Sequence, residues 1–566
     1  MTFVHDEPAS FAAQALRGFA EANARFVRLA PGGVLRTTPG AAGKVALVIG
    51  GGSGHYPAFA GYVGAGLADA AVAGDVFASP STRTVARIAR LADRGGGVLL
   101  GFGNYAGDVL NFGAAIPRLM AEGIEARMLP VTDDVASAPA ETPALRRGVA
   151  GNIMVFKIAG AAAEADATLD EVERLARLAN QRTFSLGVAF GGCTLPGARE
   201  PLFVVPDGQM AIGLGIHGEP GVAEQPLMTA SELSRLLVER LLRERPDDAG
   251  GRIAVMLNGL GATKSEELFV LWTGVQAELA ARGLTIVAPE VGEFVTSLDM
   301  AGCSLTITWL DHGLEPFWLA PAASPALKRG AEVDAAALAP IEQADEPPPI
   351  PLATAPSQTA ARCIAAVLER IAAAMRNAQE ELGRIDARAG DGDHGQAMSR
   401  GSAAAAEAAG RAVAAGAGAA TALALAADAW ADRAGGASGA LWGVGLRSWS
   451  EAFSDSAAIA APDIARGARA ALDAIVALGR ARLRDKTLVD ALDPFVAALE
   501  RETAAGKSLA EAWREAARAA AKAAADTASL TPRLGRARPL AARSLGHPDA
   551  GAVSLAMVAN VVGDNL

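Results

Sequence analysis

The feature that most constrains the fold is a change of pattern part-way along the chain. Up to about residue 320, short β-branched runs end in glycines or acidic turns. Residues 45–49 lead into Gly50-Gly51-Gly52-Ser53-Gly54, 98–102 into Gly103-Asn104-Tyr105-Ala106-Gly107-Asp108, and 128–131 into Thr132-Asp133-Asp134. Helical stretches such as 82–94 separate them, and this alternation specifies parallel α/β layers. Strand patterns at 252–257, 284–288 and 304–310 place a second α/β subdomain after about residue 185. Residues 321–356 then carry eight prolines from Pro321 to Pro356, the mark of an extended linker. Beyond it strand signals almost vanish. Residues 359–382, 403–433, 462–481, 508–529 and 552–562 are Ala-rich and amphipathic, which specifies an all-helical domain. The expected class is multidomain, α/β plus all-α. An α/β domain at 1–322 (subdomains about 1–185 and 186–322) precedes a Pro-rich linker at 323–356 and a helical domain at 357–566.

Composition narrows the function. Of the 566 residues, 51% are hydrophobic and 20% charged, which is globular rather than disordered. The net charge of −11 argues against sequence-independent binding of nucleic acid or of an anionic membrane. Three separated cysteines, Cys193, Cys303 and Cys363, form neither a disulfide framework nor a zinc motif. The N-terminus shows no signal-peptide pattern. The longest apolar stretch, 412–427, is Ala and Gly and too short to span a bilayer. A cytoplasmic enzyme is expected. Two familiar motifs fail. Gly213-Leu214-Gly215-Ile216-His217-Gly218 fits G-x-G-x-x-G, but Glu219-Pro220-Gly221 follows where a dinucleotide fold needs a helix. Residues 258–265 end in Thr263-Lys264-Ser265 without the glycine of a P-loop.

Three segments of the α/β region carry chemistry. In Gly50–His55 four glycines allow a ligand close to the backbone, and His55 stands where a strand ends. That histidine fits either a base or a packed turn residue. Asp108 holds the same topological position one strand later, and His217 lies in a Gly-flanked loop. Together with Asn104–Phe112, Cys193-Thr194-Leu195-Pro196-Gly197 and Gly215–Gly221, these segments resemble the K half of the dihydroxyacetone kinase family.

The resemblance implies that His217 captures a short ketose as a covalent hemiaminal, while His55 and Asp108 act at the hydroxyl to be phosphorylated. A neutral imidazole adds to a carbonyl but not to an alcohol carbon, which would select ketoses over glycerol. It also implies that Gly52, Ser53, Gly54, Tyr56 and Gly103 line the substrate. The family commonly has Glu at the position of Tyr56 and Lys at that of Gly103. The change at Gly103 either opens the pocket for a larger ketose such as erythrulose or is neutral drift.

In the helical half, Asp386-Ala387-Arg388-Ala389-Gly390-Asp391-Gly392-Asp393-His394 gathers three carboxylates within eight residues of a Gly-rich segment. Hard oxygen donors in this spacing suit Mg2+, and three suffice for two ions on a triphosphate. A solvated turn or a calcium loop are the other readings, although the EF-hand spacing is missing. Gly435-Gly436-Ala437-Ser438-Gly439 could present backbone N–H groups to phosphates or simply turn between helices. Asp485-Lys486-Thr487 opens a helix and could equally be a cap. Gly535-Arg536 and 544–552 complete the set, which resembles the family's L half in order.

There the resemblance implies a barrel of antiparallel helices holding ATP with two Mg2+. Asp386, Asp391 and Asp393 match the metal ligands. His394, Gly435, Gly436, Ser438, Lys486, Thr487 and Arg536 match the nucleotide site. Residues 537–541 depart from the family pattern. The implied protein is a homodimeric, ATP-dependent ketose kinase acting on dihydroxyacetone or erythrulose. A cyclising lyase acting on FAD and a non-catalytic ligand-sensing regulator are the alternatives on this scaffold.

Overall fold

The computed structural model describes every residue except 1, 218, 220, 331–349, 389, 391 and 535–540. Asp391 and Arg536 therefore lie outside the described residues. The chain divides into two units, 1–338 and 339–566.

The first sheet of unit 1 contains β1 (Val27–Ala30), β2 (Gly33–Arg36), β3 (Ala46–Ser53), β4 (Ala70–Val76), β5 (Val98–Gly103) and β6 (Ala126–Val131), in the order β1-β2-β4-β3-β5-β6. β3 pairs in parallel with β4 and β5, and β5 with β6, while β1 and β2 form an antiparallel edge. The period of two along β3 explains its central place. Leu47 and Ile49 join a core with helices Asn152–Glu164 and Leu169–Gln181, whereas Ala46 and Val48 join the opposite core with Thr82–Ala92 and Ala106–Ala121. The glycines read as a loop after residue 49 are instead strand as far as Ser53.

The second sheet contains β7 (Thr183–Ala189), β8 (Gln209–Ile212), β9 (Ala223–Pro226), β10 (Arg252–Gly259), β11 (Thr285–Ile286), β12 (Glu290–Gly292) and β13 (Gly302–Trp309). Its order is β11-β10-β13-β7-β8-β9, with β12 also on β10. Here the expected parallel arrangement fails. Only β11 and β12 run parallel to β10, and the other pairs are antiparallel. A parallel pair needs a crossover, and β7, β8 and β9 follow one another with no helix between them. Helices Ala230–Leu242 and Ser265–Ala281 cover one face.

Three boundaries move. β7 starts at Thr183, so a subdomain limit at 185 falls inside a strand. Residues 323–330 belong to unit 1 rather than to a linker. Ala322–Ala323 and Lys328–Arg329 form a small antiparallel pair, Ala323 bridges to Ala65, and Leu327 is buried. Pro325 sits in that pair's turn, where a proline costs no ladder hydrogen bond. At the other end, helix Ala355–Asn377 already includes Pro356, at its start, where the ring is tolerated.

In unit 2, eight helices of fourteen or more residues are present among the described residues: Ala355–Asn377, His394–Ala414, Ala419–Ala434, Gly436–Ser450, Ala461–Gly479, Val489–Ala504, Leu509–Asp526 and Ala550–Gly563. Each packs on the next, and the last packs on the first, closing a ring. Short connections make neighbours antiparallel. The run 403–433 breaks in two at Gly416 (φ +84°) and Gly418. Small residues let the helices approach closely. A Cβ on Gly467 would lie 2.0 Å from the Trp449 ring, and one on Gly401 2.7 Å from Trp430, which stacks on Trp442 at 4.9 Å. The sequence pattern missed Gly436–Ser450, whose glycines read as a turn, while the helix expected to open at residues 485–487 is Val489–Ala504, which carries Pro494 inside it.

Two helical glycines separate propensity from packing. Gly410 has open space where its Cβ would be, so Gly410→Ala should stabilise unit 2 by about 0.5–1 kcal/mol. A Cβ on Gly160 would meet the Leu67 carbonyl oxygen at 2.0 Å, so Gly160→Ala should destabilise by about 1–3 kcal/mol despite its better propensity. Thermal unfolding of the two variants should show shifts of opposite sign.

Candidate active site

Three segments of unit 1 meet at a pair of imidazoles. His55 follows β3 and the left-handed Gly54 (φ +100°). His217 comes from the connection between β8 and β9, which starts at left-handed Gly213 (φ +71°). Ser297 pins that connection by donating its hydroxyl to the Ile216 carbonyl. The two Nε2 atoms are 3.1 Å apart.

Partners on the far side of each ring fix the proton positions. His55 Nδ1 lies 2.8 Å from the Thr296 carbonyl, which can only accept, so Nδ1 carries the hydrogen. His217 Nδ1 lies 3.0 Å from Glu219 Oε1, and the His217 backbone N–H donates to Oε2 at 2.6 Å. Burial, then the charge of His217, pushes the His55 imidazole down to about 3, so it is neutral at physiological pH. Burial would raise Glu219, but the hydrogen bonds and charge of His217 outweigh it and take the carboxyl down to about 2. With both Nδ1 atoms donating outward, the two Nε2 atoms can share at most one proton between them.

The supporting groups form a chain. Arg147 donates from Nε and Nη2 to Asp134 Oδ2 at 3.0 and 2.8 Å, and its Nη1 lies 3.8 Å from Glu219. A Cβ on Gly215 would lie 2.1 Å from Glu219 Oε2, so the glycine makes room for this carboxylate. Phe77, itself left-handed (φ +55°), stacks on His55 at 5.1 Å and meets His217 edge-on at 5.0 Å. The Tyr105 ring meets His217 edge-on at 4.8 Å.

Asp108 sits in the first turn of helix Ala106–Ala121, after β5, and accepts a 2.6 Å hydrogen bond from Ser79. Burial pushes its carboxyl up to about 6, opposed by that hydrogen bond and by the charge of His217. It is thus a stronger base than an ordinary carboxylate and still ionised at neutral pH.

The remaining residues expected to line the substrate also make contacts within the protein, and Gly52, Ser53 and Tyr56 border a small pocket. A Cβ on Gly52 would meet Ala78 N at 2.8 Å, and one on Gly54 the Phe77 ring at 2.8 Å, so these glycines admit Phe77. Ser53 donates to the Gly74 carbonyl at 2.7 Å. The Tyr56 ring packs on Phe19 at 5.3 Å, and burial pushes its hydroxyl up to about 12. A Cβ on Gly103 would lie 3.0 Å from the Gly148 carbonyl and 3.1 Å from the Tyr105 ring.

In unit 2, Asp386 ends helix Gln379–Asp386, and its Oδ2 accepts the Gly392 N–H at 2.9 Å. A Cβ on Gly390 would lie 2.4 Å from Asp386 Oδ1, so the glycine segment folds tightly over this carboxylate. Asp393 is exposed at the start of helix His394–Ala414. Among the described residues no group of three His, Cys, Asp or Glu is arranged to hold a metal ion. Mg2+ needs only one or two carboxylates beside phosphate and water, and Asp386 and Asp393 fit that need.

Buried His394 bridges Ser438 (Nδ1, 3.2 Å) and Ser554 (Nε2, 2.9 Å), and burial lowers it below the usual histidine range. Gly435 and Gly436 (φ +65° and +58°) start helix Gly436–Ser450, so Ser438 lies in a helical first turn rather than a loop. Lys486 donates to the Leu530 and Ser544 carbonyls at 3.1 and 2.7 Å, holding two segments together. The Thr487 backbone N–H donates to Asp490 at 2.8 Å, a local turn. A small pocket lined by Asp386, Gly390, Lys486, Ser544, His547 and Asp549 joins the carboxylate to the 544–550 segment.

Both halves match known domains: the Dak1 domain at residues 17–326 and the DAK2 domain at 388–564. The chain belongs to the dihydroxyacetone kinase family. It is 54% identical to an L-erythrulose kinase of Pectobacterium atrosepticum, over 99% of this chain and 96% of that protein. It is 53% identical to a D-erythrulose kinase of Mycolicibacterium smegmatis, over 100% and 98%. The crystal structure of the dihydroxyacetone kinase from C. freundii in complex with AMP-PNP and Mg2+ matches it with a TM-score of 0.61 at 28% identity, over all of both chains.

Several groups in this family member were not found from sequence. Glu219 lies two residues from His217 and could have been found as a short-range partner. Thr296, Phe77 and Ser79 come from distant segments and carry no motif of their own. Tyr105 was visible only as part of the Asn104–Asp108 run. Its buried hydroxyl has no hydrogen-bond partner among the described residues.

The Ser79 hydrogen bond favours ionised Asp108, so its loss should raise the titration of that carboxyl further. In Ser79→Ala, the Asp108 carboxyl followed by NMR should titrate above its wild-type midpoint near 6 by about half a unit or more.

Proposed function

We propose that this chain is an ATP-dependent kinase that phosphorylates a terminal hydroxyl of erythrulose, held meanwhile as a covalent hemiaminal on His217. The reading rests first on the imidazole pair, whose Nε2 atoms stand 3.1 Å apart with both Nδ1 atoms already committed. Two relatives named erythrulose kinases, at 54% and 53% identity across the whole chain, support the four-carbon substrate and differ in the enantiomer named.

The chemistry follows from the proton positions. His217 Nε2, unprotonated while Nδ1 donates to Glu219, adds to the ketose carbonyl carbon, and neutral His55 lies beside it. The carbonyl π pair moves to oxygen, which takes up a proton from solvent. The alkylated His217 ring is then cationic, and the Glu219 carboxylate beside Nδ1 neutralises it. Only a carbonyl compound can be held in this way, so glycerol is rejected by chemistry rather than by fit. Asp108 then accepts the proton of the terminal hydroxyl. Mg2+–ATP, held by Asp386 and Asp393, supplies the phosphoryl group when bound. Asp391 and Arg536 join that site in the same proposal, with His394 and Ser438 keeping the adjoining helix starts in register.

A coupled ADP-release assay with Mg2+–ATP tests the reading against dihydroxyacetone, D- and L-erythrulose, glyceraldehyde and glycerol. One erythrulose enantiomer should show kcat/KM at least tenfold above dihydroxyacetone, with glycerol inert. A preference for dihydroxyacetone would overturn the four-carbon assignment. Absence of turnover with every ketose would overturn the kinase reading itself.

A further inference from the structure

The imidazole pair has a second consequence. With both Nδ1 atoms committed outward, two Nε2 atoms 3.1 Å apart need a cation between them, since without one two lone pairs would face each other. A proton is one solution and a transition-metal ion is another. The geometry points to a binding site for a nitrogen-preferring divalent cation of the zinc type on His55 Nε2 and His217 Nε2, occupied in competition with the ketose.

Four observations carry this site. Zinc–nitrogen bonds of about 2 Å at a tetrahedral angle hold two nitrogens about 3.3 Å apart, close to the spacing found here. The ring centroids are 4.9 Å apart, nearer than two rings pointing straight at each other through a 3.1 Å contact would be, so the nitrogens are not aimed along a single line. Each imidazole already donates its other N–H to a fixed acceptor, the Thr296 carbonyl and the Glu219 carboxylate. This is the second layer of contacts that sets tautomer and ring orientation around histidine metal ligands. Finally, Phe77 packs against both rings and Tyr105 against His217, which holds the pair in place before any ion arrives.

Two imidazoles leave the other coordination positions to water. Asp108, within electrostatic reach of His217, adds negative charge beside the ion. Mg2+ does not compete, because it prefers oxygen donors and gives up its water reluctantly. An ion on both Nε2 atoms occupies the lone pair that would attack the carbonyl. The site itself stands on geometry. Its competition with ketose rests on the kinase reading above.

The test uses the full-length chain with Cys363→Ser, since Cys363 is the exposed thiol among the three cysteines. Zn2+ is titrated in the absence of nucleotide against a chromophoric chelator, and Co2+ serves as its optical counterpart. One ion per chain should bind, with a Co2+ spectrum free of thiolate bands. Affinity should fall at least tenfold in His217→Gln, a variant of similar size at a partly exposed position, with thermal unfolding checking that the fold is kept. Unchanged Zn2+ uptake in that variant, or no uptake by the parent, overturns the site. In turnover with saturating Mg2+–ATP, Zn2+ should raise the apparent KM for the ketose at least fivefold and leave kcat unchanged. A fall in kcat at unchanged KM overturns the competition. If no ketose turns over while the ion binds through His217, the kinase reading fails and the metal site stands.

Discussion

The contact between His55 and His217 is the constraint on which the rest of unit 1 depends. It joins residues 162 positions apart, one at the end of a parallel strand and one in an antiparallel hairpin connection. Neither element alone can place both nitrogens. The first sheet brings His55 in through Gly54 after β3, the Thr296 carbonyl from the connection between β12 and β13 orients its ring, and Glu219 and the Ile216–Ser297 contact set His217. A net hydrogen bond is worth only about 1 kcal/mol, so no single one of these fixes the geometry. The combination does, because each ring is held from behind by an acceptor and from the side by an aromatic ring.

The same logic explains several glycines. Gly54 and Gly52 make room for Phe77, and Gly215 makes room for the Glu219 carboxylate. Their small size serves the protein's own packing around the imidazoles. The tension in the site is equally local. Asp108 is buried, which raises it to about 6, and one hydrogen bond from Ser79 keeps it from rising further. That balance gives a carboxylate ionised near neutral pH yet more basic than an exposed one. The buried Tyr105 hydroxyl, without a partner among the described residues, is the reverse case: a desolvation cost of about 1–3 kcal/mol near the His217 imidazole, which the Tyr105 ring meets edge-on.

Much of this was legible in the sequence because it is local. Strands at 45–49, 98–102 and 304–310 and the helical character after residue 357 follow from short patterns, and the resemblance of the glycine-flanked segments singled out His55 and His217, which the structure brings together. What was not legible is non-local. Nothing near Gly103 reveals that the Gly148 carbonyl and the Tyr105 ring crowd the position of its missing Cβ. Nothing near Phe77 marks it as the ring against both histidines. The antiparallel second sheet escaped because its strands β8 and β9 are four residues long and carry little alternation. Helix Gly436–Ser450 escaped because glycine reads as a breaker, although at its start the left-handed Gly435 and Gly436 define where the helix begins. In unit 2 the carboxylate Asp386 was found from spacing, but the role of Lys486 as a brace between the Leu530 and Ser544 carbonyls is visible only in three dimensions.

The central claim is that His217 holds the ketose through a covalent bond. The direct test is a carbon NMR spectrum of erythrulose labelled at its carbonyl carbon, bound to the protein without nucleotide. The account predicts that the carbonyl resonance of the bound sugar is replaced by one in the tetrahedral range, and that His217→Asn restores the carbonyl signal or abolishes binding. A bound ketose that keeps its carbonyl resonance in the unaltered protein would contradict the account.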